Sequence, residues 1–409
     1  MKIGVLACTD DRPAFETGVT SYQRVLFRMF GEFFKDIDFF VYLSPRNAIR
    51  YKDLKYNNIK YFVIEPPLLK GKIMRFRFLR SITMILTFLT PVRKVHKFCK
   101  FLKGIYGINI PYDNHLDILC YTSYGCNILA PVFIKTISNV PLISVIHDIR
   151  HVLSSNHSIN DFLDDLYTRA LLVNSDMIVV PSEFIKKTCL SHYNLPNRKL
   201  AVLYSIPDLF NNKKMEIPSF QSLKLKYGLP ESFIFYPSTI TSTKNHLRLI
   251  DALKIVKEKT GPLNLVLCGS ISDSKLYTTI LDKIRNNGLT EHYFHLGFIS
   301  DEEKYSLYLK AKALVMPSIN ESFGLPIWEA FALGCPVIAS NTEDLKEQVR
   351  DAALLCNPLD AADIAEKISL ITSNETLRQS LIKKGYMVTK EHSLENYAKK
   401  WREVLSKFL

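Results

Sequence analysis

Eight cysteines are scattered along this 409-residue sequence, and no two form a C-x-x-C pair. That pattern argues against a disulfide framework and fits reduced thiols in a cytosolic setting. No run of about 18 apolar residues occurs, so no segment reads as a membrane-spanning helix. The opening MKIGVLAC gives way at once to Thr9, Asp10 and Asp11. It is too short for the apolar region and cleavage site of a signal peptide, and it reads as a first strand. No G-x-G-x-x-G follows that strand, which argues against a dehydrogenase. His147, His151 and His157 have a spacing that fits no common metal site. Acid is missing altogether from Pro66–Tyr112, which holds ten Lys and Arg.

That last absence explains the charge. The net charge is +13; residues 1–200 carry 27 basic against 16 acidic side chains, and residues 201–409 carry 26 against 24. Within the basic stretch, Lys70–Lys103 places cations on both sides of an apolar centre, Ile82–Leu89, broken by Pro91. This is the pattern of an interfacial segment drawn to anionic headgroups, each basic residue adding about 1 kcal/mol near the surface. A solvated basic face is the plain alternative. A nucleic-acid groove is disfavoured, because no binding motif accompanies the charge.

The length exceeds one typical core and predicts two domains. Lys2–Cys8, Asp38–Leu43, Ile59–Ile64, Asp117–Thr122, Pro141–His147, Asp176–Pro181 and Lys199–Tyr204 are short and apolar. Helical patterns such as Thr20–Phe30 and Asn160–Asn174 separate several of them. Strands alternating with helices predict a doubly wound parallel sheet, and the pattern resumes at Phe233–Ser238 for a second one.

The stretch Ala313–Ser340, ALVMPSINESFGLPIWEAFALGCPVIAS, is the most informative. Ala313–Met316 reads as a buried strand, and a helix can begin at Pro326, where a missing N–H costs nothing. Gly334 can supply the left-handed stop, and Cys335–Ser340 reads as the next strand. In a parallel sheet the loop then lies at the carboxyl ends of the strands, where α/β folds bind ligands. Backbone N–H groups of Phe323, Gly324 and Leu325 would face a phosphate at the helix start. Glu321 and Glu329 would repel it, so they suit hydroxyls. A ligand with phosphates in its middle and hydroxyls at both ends is a nucleotide sugar. The plain alternative has the two glutamates capping a helix and making surface pairs.

E-S-F-G-L-P-I-W-E, two glutamates with seven residues between, resembles the signature of the retaining GT-B glycosyltransferases, in particular the large bacterial family 4. The match runs through PVIAS to Ala352–Pro358, with weaker echoes along the whole chain. Ser322 stands where the family most often has glycine, a concern if that position needs positive φ. The resemblance implies an α/β GT-B fold, two Rossmann-like domains facing across a cleft. Residues 1–205 would bind the acceptor and 206–390 the donor, with 391–409 crossing back as a helix docked through Tyr397, Trp401 and Leu405.

Residue by residue, the resemblance implies further roles. Gly18 would approach the donor pyrophosphate or the acceptor. His147 would reach the transferred sugar, with Asp148 as orienter or acceptor contact. Lys244, followed by Asn245 and His246 at a helix start, would neutralise the pyrophosphate. The family's usual arginine is replaced by Ser238 and Thr239. The Gly297–Ile299 loop, with Phe298, would pack the base. Glu321 would hold sugar hydroxyls and Glu329 ribose hydroxyls, with Ser322 in the donor loop between them.

The expected activity is hexose transfer, with a lean to mannose from the Lys-Asn-His loop. The donor would be a GDP-, UDP- or dTDP-sugar, and no cofactor or metal is expected. The acceptor would be a glycan or lipid-linked chain in lipopolysaccharide or other surface polysaccharide biosynthesis. The protein would be cytoplasmic, peripheral on the inner face of the cell membrane. Two other classes remain open: a nucleotide-sugar epimerase or hydrolase, and a non-catalytic subunit of a transferase complex.

Overall fold

Short runs of Val, Ile, Leu and aromatic residues, buried on both faces, pair only in parallel in both sheets. Such strands need helices over each face, which is why helical segments alternate with them. The computed structural model describes residues 1–7, 18–63, 115–122, 140–153, 159–207, 209 and 216–408. The basic segment 66–112 and the loop preceding Gly18 lie outside the described residues.

The chain divides into two units, Met1–Tyr204 with Glu395–Leu409, and Ser205–Leu394. The first holds β1 (Lys2–Leu6), β2 (Asp38–Leu43), β3 (Ile59–Val63), β4 (Ile118–Tyr121), β5 (Leu142–Val145), β6 (Met177–Val180) and β7 (Leu200–Val202). Their spatial order is β3-β2-β1-β4-β5-β6-β7. The order reverses between β1 and β4, and such a reversal opens a crevice at the carboxyl ends of those strands. Leu6 pairs with Tyr42 on one side and Tyr121 on the other, so Ala7 and Thr122 end the strands at that crevice.

The terminal helix, Leu394–Leu405, belongs from Glu395 onward to this first unit. Tyr397, Trp401 and Leu405 are buried at 3%, 0% and 1% exposure, as their four-residue spacing predicts. The Trp401 ring meets Phe30 edge-on at 5.8 Å, and Phe30 stacks on Phe39 at 4.1 Å. Arg402 forks onto Asp36 with two 2.9 Å bonds.

The second unit holds β8 (Phe233–Pro237), β9 (Asn264–Cys268), β10 (Tyr293–His295), β11 (Leu314–Met316), β12 (Val337–Ser340) and β13 (Leu354–Cys356). The order is β10-β9-β8-β11-β12-β13, reversing between β8 and β11. The loops after β8 and β11 carry Lys244 and Glu321.

Most strands end one or two residues short of their apolar runs. Ile146 and Leu203 show the reason: each is buried and bonds a neighbouring strand, to Val179 and Val180 carbonyls, yet stands just past the ladder. His147 therefore lies in the loop after β5 rather than at its end.

Candidate active site

The two loops at the second switch point are laced together before any side-chain chemistry begins. Ile319 N–H donates to the Thr243 carbonyl at 2.9 Å, and the Tyr236 hydroxyl donates to the Lys244 carbonyl at 3.0 Å. Ser318 Oγ lies 2.9 Å from the same hydroxyl. This lacing brings Lys244 Nζ onto the Glu321 carboxylate as an ion pair. Glu321 is nearly buried, and Lys244 keeps 20% of its side chain exposed.

Lys244 does not itself open the helix. Ser242–Lys244 is a single 3₁₀ turn, Asn245 sits in the left-handed region at φ 61°, and the helix starts at His246. Asn245, expected to touch the donor, turns its amide to the carbonyls of Pro317 at 2.9 Å and Pro358 at 2.6 Å. It ties three loops together, a scaffolding role that asparagine fills because it tolerates φ > 0.

Ser238 and Thr239 supply no cation in place of the missing arginine. Ser238 Oγ lies 2.9 Å from His246 Nε2, and Thr239 Oγ1 lies 3.4 Å from Ser270 Oγ. Burial, with the Lys244 charge adding to it, pushes His246 down to about 3, so its ring is neutral. The cations at this loop are Lys244 and Arg248, whose guanidinium donates to Asn245 Oδ1 at 3.0 Å and to the Pro358 carbonyl at 3.2 Å.

The helix after β11 runs Leu325–Ala332, one residue earlier than Pro326, with the proline inside its first turn. Gly324 precedes it; a Cβ there would stand 2.9 Å from Ile327 Cδ1, so any larger residue displaces that side chain. Gly334 at φ 67° turns the chain off the helix toward β12. Ser322 is not among the described non-glycine residues with positive φ, so serine adds no strain there. Of the three amides expected to face a phosphate, that of Gly324 is engaged: it donates to Gln348 Oε1 at 2.9 Å. Trp328 Nε1 donates to the same oxygen at 3.2 Å, and the Phe323 ring stacks on Trp328 at 5.6 Å. Gln348 thus caps and steadies the loop, leaving Phe323 and Leu325 as the expected amide donors.

Glu329 lies one turn into that helix, buried and held from a neighbouring helix, Asp301–Lys310. Lys304 Nζ meets Oε1 at 2.9 Å, and the Tyr308 hydroxyl donates to Oε2 at 2.9 Å. Phe298, in the loop after β10, is half exposed at 52%. Asp344 is buried near Glu321; burial, with the Glu321 charge adding, pushes its carboxyl up to about 6. Lys304, Tyr308, Gln348 and Asp344 escape a sequence reading. Lys304 in an acid-rich helix start looks like an ordinary surface pair, and the others act across 20 or more residues of chain.

At the first unit's switch point Gln23, Thr122 and His147 gather around one carbonyl, with Asp148 beside the imidazole. Gln23 Nε2 donates to the Thr122 carbonyl at 3.0 Å and lies 3.3 Å from its hydroxyl, and Tyr51 donates to Gln23 Oε1 at 2.8 Å. His147 Nε2 lies 2.9 Å from the same carbonyl. A carbonyl only accepts, so Nε2 carries the proton and Nδ1 is the acceptor. Burial pushes His147 down to about 4 against the opposing pull of Thr122 and Asp148, so the ring is neutral. The Tyr22 ring meets it edge-on at 4.8 Å. Gly18 begins the first helix, Gly18–Phe33. His147, Asp148 and Gly18 thus belong to one unit, and Lys244, Asn245, Phe298, Glu321, Ser322, Phe323, Gly324, Leu325 and Glu329 to the other.

Residues 221–388 match the family model of glycosyl transferases group 1. The O-antigen chain mannosyltransferase B of Escherichia coli is 28% identical over 231 residues, covering 55% of this chain and 59% of that protein. The serotype-specific mannosyltransferase WbdA of Escherichia coli is 27% identical over 269 residues, covering 64% of this chain and 32% of that one. The chain thus spans less than two thirds of the length of either relative. The crystal structure of Anabaena HepE in complex with UDP-glucose superposes with a TM-score of 0.70 at 18% identity, covering 100% of both chains. That likeness, with the two parallel sheets, gives the fold class as GT-B.

Proposed function

We infer, from a second unit whose residues 221–388 match the family model of glycosyl transferases group 1, that this protein is a retaining glycosyltransferase. It moves a hexose, mannose first among the candidates, from a nucleoside-diphosphate sugar to a glycan or lipid-linked acceptor in surface-polysaccharide synthesis. The names of the Escherichia coli relatives and the Lys-Asn-His loop support mannose; the UDP-glucose bound to HepE supports a sugar nucleotide.

The Lys244–Glu321 ion pair carries the reading. A cation suited to a diphosphate and a carboxylate suited to hydroxyls satisfy each other beside a helix N-terminus. An incoming donor replaces each partner: Lys244 turns to phosphate and Glu321 to the sugar hydroxyls. As the anomeric bond to the diphosphate breaks, charge grows on the departing oxygen. Lys244 and the amides at the helix start stabilise it, the electrostatic mode of catalysis. The acceptor hydroxyl joins the anomeric carbon on the face the diphosphate leaves and gives its proton to the departing diphosphate oxygen, with no protein nucleophile assigned. The step needs no bound metal, so turnover should survive EDTA. Docking to the inner face of an anionic membrane rests on the sequence of residues 66–112 alone. Salt-sensitive cosedimentation with phosphatidylglycerol vesicles tests it.

The deciding experiment is thermal stabilisation by GDP, UDP, dTDP, CMP and their sugars. A ligand at a hundredfold its dissociation constant adds about 2.7 kcal/mol, read as a raised melting temperature. Stabilisation by one diphosphate, abolished in Lys244→Ala, names the donor class. Stabilisation by none overturns the reading in favour of a non-catalytic subunit. Sugar release that no acceptor accelerates makes the protein a hydrolase.

A further inference from the structure

Glu329 is the sole charged residue of the helix LPIWEAFA, whose Ile327, Trp328, Ala330 and Phe331 are all buried. A carboxylate placed there is costly unless it is bonded, and a buried ion pair rarely repays its desolvation through stability alone. What bonds it is a clamp from a single helix face. Lys304 and Tyr308 stand four residues apart on Asp301–Lys310 and take one oxygen each, Nζ to Oε1 and hydroxyl to Oε2, both at 2.9 Å. Asp301 steadies Lys304 from the preceding turn at 2.7 Å. Tyr308 is itself fully buried, so the clamp has little freedom. Each carboxylate oxygen has two acceptor sites, and the clamp uses one of each. Glu329 retains 12% side-chain exposure, so its remaining sites can meet a ligand.

We propose that Lys304 and Tyr308 are positioning residues, which hold Glu329 in the one orientation where it accepts both ribose hydroxyls of the nucleotide. The proposal rests on the donor-site reading above. Fixing the acceptor in advance removes the cost of ordering it on binding, so the clamp sets how strongly the protein distinguishes a ribose from a deoxyribose.

The test measures dissociation constants of the full chain for GDP and UDP, for their 2′,3′-dideoxy forms, and for dTDP, whose sugar carries the 3′-hydroxyl alone. In the wild type the diphosphate that binds should lose about tenfold to a hundredfold on losing its sugar hydroxyls, the value of one or two hydrogen bonds to a charged acceptor. Lys304→Met and Tyr308→Phe should each weaken the parent nucleotide about tenfold and leave the dideoxy form unchanged, so the ratio falls by about the same tenfold. Lys304→Arg should restore most of it. Tyr308→Phe keeps the buried ring and decides the matter if Lys304→Met does not fold. An unchanged ratio in the folded variants overturns the clamp while leaving the donor site standing. A wild type that binds a diphosphate but ignores its hydroxyls removes the ribose role of Glu329, and the clamp with it. Binding of no diphosphate at all is instead the failure of the donor-site reading.

Discussion

At the switch point of the second sheet Lys244 meets Glu321, and Lys304 meets Glu329 and Asp301; at that of the first, Gln23, Thr122 and His147 exchange hydrogen bonds around one backbone carbonyl. Both sites arise from the same reversal of strand order, so topology alone does not separate them. The side chains do. Ion pairs can be taken apart by a ligand that carries both an anion and hydroxyls, each partner finding a replacement. A hydrogen-bonded network with a fixed imidazole tautomer offers acceptors of set direction, with Asp148 as the charge acting on His147. The described residues therefore give one switch point exchangeable ion pairs and the other a hydrogen-bonded network around a single carbonyl.

The comparison breaks most severely if the two units share one stability. Trp401→Ala should cost the first unit about 3–5 kcal/mol, the usual penalty for emptying a buried tryptophan site. Calorimetry should then show an early transition that a bound diphosphate does not move. Loss of nucleotide binding in the same variant would mean that the units fold as one. Next in size, Lys244→Ala should lower kcat/KM for the sugar donor by about 10²–10³. Turnover unchanged by that substitution removes the exchangeable pair from the mechanism.

Asp344→Asn probes the charged site through pH. The folded carboxyl titrates at about 6, above its value of 3.8 in the unfolded chain. Between those values the folded state holds more protons, so acid favours it and the group opposes folding above pH 6. The asparagine variant should gain up to about 3 kcal/mol at pH 8 and nothing below pH 4, read by denaturant titration. His147→Gln probes the other site with the opposite sign. Its folded value of about 4 lies below the ordinary 6.5, so the wild type loses stability as pH falls through that window. The glutamine variant should keep about 1 kcal/mol more at pH 5.5 and match the wild type at pH 8.

Much of this was readable from the chain because it is local. The Glu321–Glu329 spacing, the proline and the two glycines around the helix all act within one turn of their neighbours. The alternation of strand and helix, and the face of Tyr397, Trp401 and Leu405, follow from periodicity. What periodicity does not carry is a partner brought in by topology. Gln348 reaches Gly324 across 24 residues and Lys304 reaches Glu329 across 25. Asn245 illustrates the other gap: its place in a Lys-Asn-His run suggested a ligand contact, but a left-handed backbone aimed its amide at two carbonyls.

Trp401 has a further consequence, in the order of synthesis. The first unit is split along the chain: Met1–Tyr204 is made before Ser205–Leu394, and Glu395–Leu409 after it. Trp401, which packs on Phe30, is made only after the second unit has all its described strands. The half that starts first finishes last, and the chain must be kept from aggregating through that interval.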